Sequence, residues 1–398
     1  MEHHRLGDYI REVNVRNRDL KVTNLLGLSI EKKFILSIAN TIGTDMSVYK
    51  IIKKNQFAYV PVTSRNGDKI TIALLDEEKA IISQAYTVFE IVSVEAGGNV
   101  ETGGNVGTHG DVETHGRASL RTPILPEYLM MWFRRPEFDR YARFHSHGSA
   151  REVFDWDELC NVMLPIPTIA RQREIVAEYE TLSSRIRLNE QMIEKLEATA
   201  QALYRKMFVD GVDMEHLPEG WRNGRLSEIA SIIMGQSPDG ETYNLEGEGT
   251  IFYQGRTDFG RRFPTARVYT TNPTRYAKEG DVLLSVRAPV GDINIASHDC
   301  CIGRGLASLR SKDSCQSYLF YQLQNLSDVF NVSDDEGTIF GSINKDDLYN
   351  IEIVVPTLKE MQVFEGYASD IDKEIELKDK EINILTELQS LLLARMGK

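Results

Sequence analysis

"GSAREVFDWDELCNVMLPIPTIARQREI", Gly148 to Ile175, returns in altered form as "GTIFGSINKDDLYNIEIVVPTLKEMQVF", Gly337 to Phe364. Gly148, Asp157, Leu159, Asn161 and Pro167 each meet the same residue type 189 positions later, at Gly337, Asp346, Leu348, Asn350 and Pro356. Ser149/Thr338, Asp155/Asn344, Glu158/Asp347 and Val162/Ile351 are conservative pairs in the same register. Five identities without a gap mark an internal duplication. A period this long means two copies of a domain, not a solenoid of short repeats.

Each copy passes through its proline into a helical pattern. After Pro167, Ile175, Tyr179, Leu182, Ile186, Asn189, Ile193, Leu196, Ala200 and Leu203 alternate spacings of four and three, a heptad stripe. Asn189 is its one polar member, and either fixes register by pairing with a polar group opposite or is simply tolerated. After Pro356 a similar stripe runs through Ile371, Ile375, Lys378, Ile382, Leu385 and Leu392. Helices of roughly 35–40 residues would extend about 50–60 Å. The most economical burial for each is against the other, antiparallel, with an internal pseudo-two-fold and a globular domain at each end. Two heads on a rod suit a ligand that repeats in space, and duplex DNA returns to the same face every ~34–36 Å.

Upstream, "QFAYVPVTSRNGDKITIALLDEEKAIISQAYTVFEI" (56–91) has short apolar runs broken by Ser, Asn, Gly and Asp, the pattern of strands and turns. Its counterpart is "GDVLLSVRAPVGDINIASHDCCIGRGLASL" (280–309), in which Gly291-Asp292 lies 224 positions after Gly67-Asp68. The shift from 224 to 189 leaves 35 extra residues in the first copy. They include "GGNVETGGNVGTHGDVETHG" (97–116), which has almost nothing apolar to bury and reads as a surface loop. His109 and His115 there lack the spacing of a zinc site. "VDGVDMEHLPEGWRNG" (209–224) reads as a linker.

The chain of 398 residues is long enough for two or three domains, and 41% hydrophobic with 26% charged residues is ordinary for a globular protein. No apolar run approaches a membrane span, and the first ten residues do not read as a secretory signal. Four cysteines are no disulfide framework, so a cytoplasmic location is expected; adjacent Cys300 and Cys301 point to opposite faces of a strand and form no redox pair. A formal charge of −13 argues mildly against nucleic acid, but residues 251–310 hold nine Lys/Arg against five Asp/Glu. One basic surface on an acidic body is the outline.

The motifs "LPEYLMMWFRRPEF" (125–138), "VFDWDELCNVMLPIPTIARQREIV" (153–176) and "GQSPDGETYN" (235–244) with "IFYQGRTDFG" (251–260) carry a resemblance over nearly the whole chain. Together with the duplication they make it similar to the specificity subunits of Type I restriction-modification enzymes. The resemblance implies an α+β chain of two similar globular α/β target recognition domains joined by two long antiparallel coiled-coil spacer helices. The divisions expected are 1–167 for the first recognition domain, with the loop 97–116, and 168–210 for the first spacer. Residues 211–356 would form the second recognition domain with its leading linker, and 357–398 the second spacer. It further implies a DNA-binding subunit that reads a bipartite double-stranded target and holds methyltransferase subunits for N6-adenine methylation, joined by a restriction-translocase subunit. S-adenosylmethionine, ATP and magnesium belong to those partners, and no cofactor to this chain. Agreeing with that, there is no Asn/Asp-Pro-Pro-Tyr tetrapeptide, no Gly-x-x-x-x-Gly-Lys-Ser/Thr loop and no zinc pattern, so the chain alone is not expected to be catalytic.

Base reading needs groups that reach base edges, Arg for guanine and Asn or Gln for adenine, with Lys and Arg also on phosphates. In "YQGRTDFGRRF" the candidates are Gln254, Arg256, Arg261 and Arg262, with Tyr253 and Phe259 anchoring the loop and Asp258 either orienting an Arg or accepting from cytosine. Arg275, Lys278 and Arg287 are phosphate candidates. In the first domain "PVTSRNGDK" (61–69) is taken as the equivalent loop, with Ser64, Arg65, Asn66 and Lys69. It also fits a plain Asn-Gly hairpin. Lys53 and Lys54 add a basic spot. "YLMMWFRRPEFDRY" (128–141) is either a methyltransferase surface or core aromatics with Arg134 and Arg135 facing solvent. Two other functions share these features: a stand-alone DNA-binding regulator, and a coiled-coil adaptor between proteins. Salt-sensitive DNA binding separates the second from the rest.

Overall fold

The computed structural model describes residues 2–37, 43–64, 67, 69–92, 122–148, 151–331 and 342–397. The loop 97–116, with His109 and His115, and the candidates Arg65 and Asn66 lie outside the described residues. Contacts divide the chain into Met1–Arg187 with Ile382–Lys398, and Leu188–Glu381.

The first unit contains β1 (His3–Arg5), β2 (Ile10–Val13), β3 (Leu26–Leu28), β4 (Phe34–Leu36), β5 (Lys50–Lys53), β6 (Phe57–Tyr59), β7 (Ile72–Leu74), β8 (Lys79–Ile82) and β9 (Thr87–Ile91). Then come α1 (Pro126–Phe133), α2 (Pro136–Phe144), α3 (Trp156–Cys160), β10 (Met163–Pro165) and the long helix α4 (Ile169–Phe208). The second unit follows with β11 (Arg222–Arg225), α5 (Leu226–Ile229), β12 (Ala230–Met234), β13 (Tyr243–Asn244), β14 (Thr250–Tyr253), β15 (Val268–Thr270) and β16 (Tyr276–Ala277). It continues through β17 (Val282–Ser285), β18 (Ile293–Ile295), β19 (Cys300–Ile302), β20 (Leu306–Ser311), α6 (Gln316–Asn331), α7 (Lys345–Tyr349), β21 (Glu352–Val355) and α8 (Leu358–Arg395).

The duplication reappears strand for strand. One sheet has the order β2-β9-β6-β7 in the first unit and β12-β20-β17-β18 in the second. The other sheet of the second unit, β13-β15-β14-β19-β16, matches the two-stranded sheets β3–β4 and β5–β8, which a parallel bridge between Leu25 and Ile81 connects. The quoted stretch keeps its register: α3 and α7, β10 and β21, α4 and α8 each begin 189 residues apart. Local chemistry explains the first of these starts. The Asp155 carboxylate accepts from the Glu158 amide at 2.9 Å, and the Asn344 side chain accepts from Asp346 and Asp347 at 2.8 and 3.0 Å. Each caps amides that no helical carbonyl can reach. The two α/β domains are thus copies of one unit, joined by the long helices.

Pro136 divides "YLMMWFRRPEFDRY" into α1 and α2, because a residue before proline is pushed out of the helical region. Arg135 there has ψ 137°. Leu129, Trp132 and Phe133 are core, and Arg135, expected at the surface, is buried with its guanidinium 4.2 Å from the Trp132 ring.

In the second unit α4 and α8 pack antiparallel. Tyr204 lies 5.7 Å from Phe364, while the earlier Glu197 and the later Asp372 share one arginine. In the first unit Ile175 and Tyr179 share a core with Leu393 and Met396, and Gln389 donates to Ser183 Oγ at 2.7 Å. Of the expected stripe, Ile193 and Ile375 are fully buried, and Leu182, Ile186, Leu196, Ile371, Ile382, Leu385 and Leu392 are half-buried. At the end of α4 the buried residues are Tyr204 and Phe208, and Leu203 is only half-buried. A straight helix drifts ~20° per heptad against a 3.5-residue repeat, which moves the buried face by one position.

Asn189 is 1% exposed, yet neither of its amide atoms has a hydrogen-bond partner among the described residues. Of the two alternatives for Asn189, polar pairing is not seen among them. Because a buried unsatisfied amide costs about 1–3 kcal/mol, Asn189→Leu should raise stability by about 1–2 kcal/mol, read as a higher urea midpoint at unchanged slope. A lower midpoint would show that the amide is satisfied in solution.

Candidate nucleic-acid interface

Strands β14 and β19 run parallel, Phe252 beside Cys301 and Tyr253 beside Ile302, so both chains leave their sheet at the same end. Backbone hydrogen bonds tie the two strand ends together and gather three more segments there. Gln236 donates to Ile302 at 3.0 Å, Val286 to Gly305 at 3.0 Å, Gly303 to Tyr253 at 2.8 Å and Ile302 to Arg275 at 2.9 Å. The result is a cluster of strand ends bearing Gln236, Gln254, Arg256, Arg275, Arg287 and Arg304, all exposed.

Glycine makes this closeness possible. A Cβ on Gly303 would stand 3.0 Å from Gln254 Cα, and one on Gly305 2.7 Å from the Gln254 carbonyl oxygen. Both flank Arg304, which is therefore held at the tip of a turn pressed against the Gln254 backbone. Arg256 is ion-paired with Asp292. Arg275, Arg287 and Arg304 have no side-chain hydrogen bond or ion pair among the described residues. Three uncompensated guanidiniums beside two glutamines form a surface able to bind phosphates and read base edges.

Not every candidate is here. Asp258 orients an arginine, but it is Arg267, at 2.7 Å. Arg261 turns to α4, donating to the Glu190 carbonyl at 3.2 Å with Glu197 at 3.6 Å. Arg262 is 3% exposed, stacked 4.3 Å from the Phe320 ring and paired with Asp372 on α8. A buried, compensated guanidinium cannot reach a base, so Arg262 is a packing residue and not a reader. Burial pushes the Glu197 carboxyl above its ordinary range against the pull of Arg262 and Arg261. Lys278 lies beyond the other end of β16 and pairs with Asp299 at 2.9 Å. Burial also pushes the Cys300 thiol up to about 12.

In the first unit the matching strand ends carry Asn14 after β2, Gln84 in the turn from β8 to β9, and Ser64 after β6, all exposed. The loop of Ser64 joins β6 to β7, so by sheet order it corresponds to the β17–β18 turn and not to residues 254–263. That expected equivalence is corrected. Lys69 pairs with Glu31 at 3.2 Å. Lys53 and Lys54 sit at the far end of β5, away from the Lys50–Ile82 pairing, and Lys54 faces Glu78 at 3.7 Å.

Sequence reading missed Arg304, Gln236 and Gln84. The signal for Arg304 was present in "CIGRGL": an arginine between two glycines is a presented arginine. It also missed a duplicated latch. Arg5 donates to Asn161 Oδ1 at 2.9 Å, and Arg225 to Asn350 Oδ1 at 2.8 Å, tying β1 and β11 to the turns before β10 and β21. Among the described residues no group of three or more His, Cys, Asp or Glu is placed to hold a metal, and no helix is long and apolar enough to cross a membrane.

The family model for the Type I restriction modification DNA specificity domain matches residues 218–387. The chain is 32% identical over 267 residues to the protein named as the MjaX type I restriction enzyme specificity subunit of Methanocaldococcus jannaschii, covering 64% of this chain and 62% of that one. It thus spans about three-fifths of that relative. With the type I restriction enzyme HindI specificity subunit of Haemophilus influenzae it shares 21% identity over 353 residues, 69% of this chain and 77% of that one. A crystal structure of the Type I restriction-modification S subunit from M. genitalium has the same fold, with a TM-score of 0.59 at 12% identity over 100% of this chain and 96% of that one. Residues 218–387 thus match the Type I restriction modification DNA specificity domain, and the duplicated α/β domains with two long helices have the fold of an S subunit.

Proposed function

We propose that this chain reads a bipartite double-stranded DNA target, one block for each of the regions 1–167 and 211–356, in a Type I restriction-modification complex. The observation that carries the reading is the cluster of strand ends with uncompensated Arg275, Arg287 and Arg304 beside Gln236 and Gln254. A structural role needs no such cluster, because unpaired like charges repel. The helical regions 168–210 and 357–398 hold methyltransferase subunits, and a restriction-translocase subunit joins them. In support, α8 buries one face and leaves Val363, Tyr367 and Leu377 exposed in the second unit, and Ile384, Leu388 and Leu391 in the first. Large apolar side chains in such a row mark a surface for a protein partner. S-adenosylmethionine, ATP and magnesium act on the partners, and the complex works in the cytoplasm.

The test is co-expression of the chain with a methyltransferase subunit encoded beside it, followed by sequencing of host DNA for N6-methyladenine. The expected result is a split motif, two short blocks with a fixed unspecified gap. Exchange of residues 6–167 for those of another family member should change one block and leave the other. A stable complex with no split methylation motif would instead favour the coiled-coil adaptor.

A further inference from the structure

Arg262 was expected to read DNA and is instead the most enclosed cation of the second unit's basic segment. We infer that Arg262 is a positioning residue that fixes the reading loop 254–263 to both long helices, and so sets the gap accepted between the two DNA blocks. This rests on the specificity-subunit reading.

The geometry is that of a clamp. The guanidinium meets Asp372 on α8 and lies 3.8 Å from Glu197 on α4, with the Tyr321 hydroxyl at 3.4 Å and the Phe320 ring at 4.3 Å. Its backbone carbonyl accepts from Ile295 at 2.8 Å, so the same residue also joins β18. Six residues earlier on the chain stands Arg256, at the reading end. A planar fork held by two carboxylates and a ring leaves little freedom to tilt. In the first unit a different cation, Arg135, is buried, with its guanidinium against the Trp132 ring. The buried cation after β3 there, Lys32, pairs with Asp139 of α2 at 2.7 Å. If the loop's placement on α4 and α8 decides where its block must lie, loosening the clamp should widen the accepted gap without changing either block.

The full chain with its methyltransferase partner is used, and N6-methyladenine is mapped genome-wide. Removing one partner leaves a buried charge alone and endangers folding. The main variant is therefore Arg262→Met with Asp372→Met and Glu197→Gln, with Arg262→Lys as a milder second and thermal melting as a check of folding. Wild type should methylate one gap. The triple variant should methylate both blocks at gaps one base pair shorter and longer at least 10-fold above wild type, with Arg262→Lys between them. Lys32→Met with Asp139→Asn should leave the gap distribution as it was. A folded triple variant, or a folded Arg262→Lys where the triple does not fold, that keeps a single gap would overturn the inference even if total methylation falls. A wild-type chain that methylates no split motif would overturn the specificity reading itself, and the inference with it.

Discussion

Arg304→Ala should lower affinity for the cognate DNA by about 5- to 150-fold, the range of one lost bidentate contact to guanine, and relax the second block at one position. The expectation rests on placement. Gly303 and Gly305 let the turn approach the Gln254 backbone more closely than any side-chain-bearing residue could, and the arginine between them is exposed, with no ion pair among the described residues. Arg275→Ala and Arg287→Ala should behave differently. Contacts to phosphate carry no sequence information, so these variants should weaken all sites alike and each reduce the slope of log affinity against log salt by about one unit. Salt-dependent titration of cognate and scrambled duplexes with the assembled methyltransferase complex separates the outcomes. Equal losses on both duplexes for Arg304→Ala would make it a phosphate contact. No loss in any of the three variants would remove the strand ends from the interface.

Phe364→Ala should cost about 3–5 kcal/mol, lowering the melting temperature of the second unit by about 6–20 °C. Phe364 is fully buried and sits among four rings, with Tyr204, Phe208, Tyr318 and Tyr321 at centroid distances of 5.7, 5.6, 6.5 and 5.7 Å. Those rings come from α4 and α6, so this one side chain joins three helices. The site cannot collapse easily, because the Tyr204 and Tyr318 hydroxyls both donate to Gln322 Oε1, at 2.7 and 3.0 Å. Rings pinned at their polar ends leave a cavity when the centre is removed. Thermal and guanidinium unfolding followed by circular dichroism measure the loss. A cost below about 1 kcal/mol would mean that the rings repack.

Much of this architecture was legible in the chain. The register of 189 residues foretold that α3, β10 and α4 would recur as α7, β21 and α8, because capping residues, prolines and heptad spacing act within a few residues of themselves. The stripe located the helices and most of their buried faces. It missed at Leu203, where the seam slides to Tyr204; at Asn189 the expected face is buried, with no partner for the amide among the described residues.

The candidate site divides along the same line. That arginine and glutamine are the residues able to read bases follows from their chemistry, and "QGRTDFGRRF" supplies two members of the exposed strand-end cluster, Gln254 and Arg256. Its three arginines meet three fates: Arg256 at the strand ends, Arg261 on the surface of α4, Arg262 buried with Asp372. Nothing local distinguishes adjacent Arg261 and Arg262. Their fates depend on Glu197 and Asp372, carboxylates 64 or more positions away that only the folded chain brings near. Arg304 and Gln254, 50 residues apart, likewise become neighbours only because β14 and β19 pair in parallel. The sequence by itself determined the duplication, the element types and the chemistry on offer. Tertiary structure decided which charges remain free, because burial and compensation depend on neighbours in space and not along the chain.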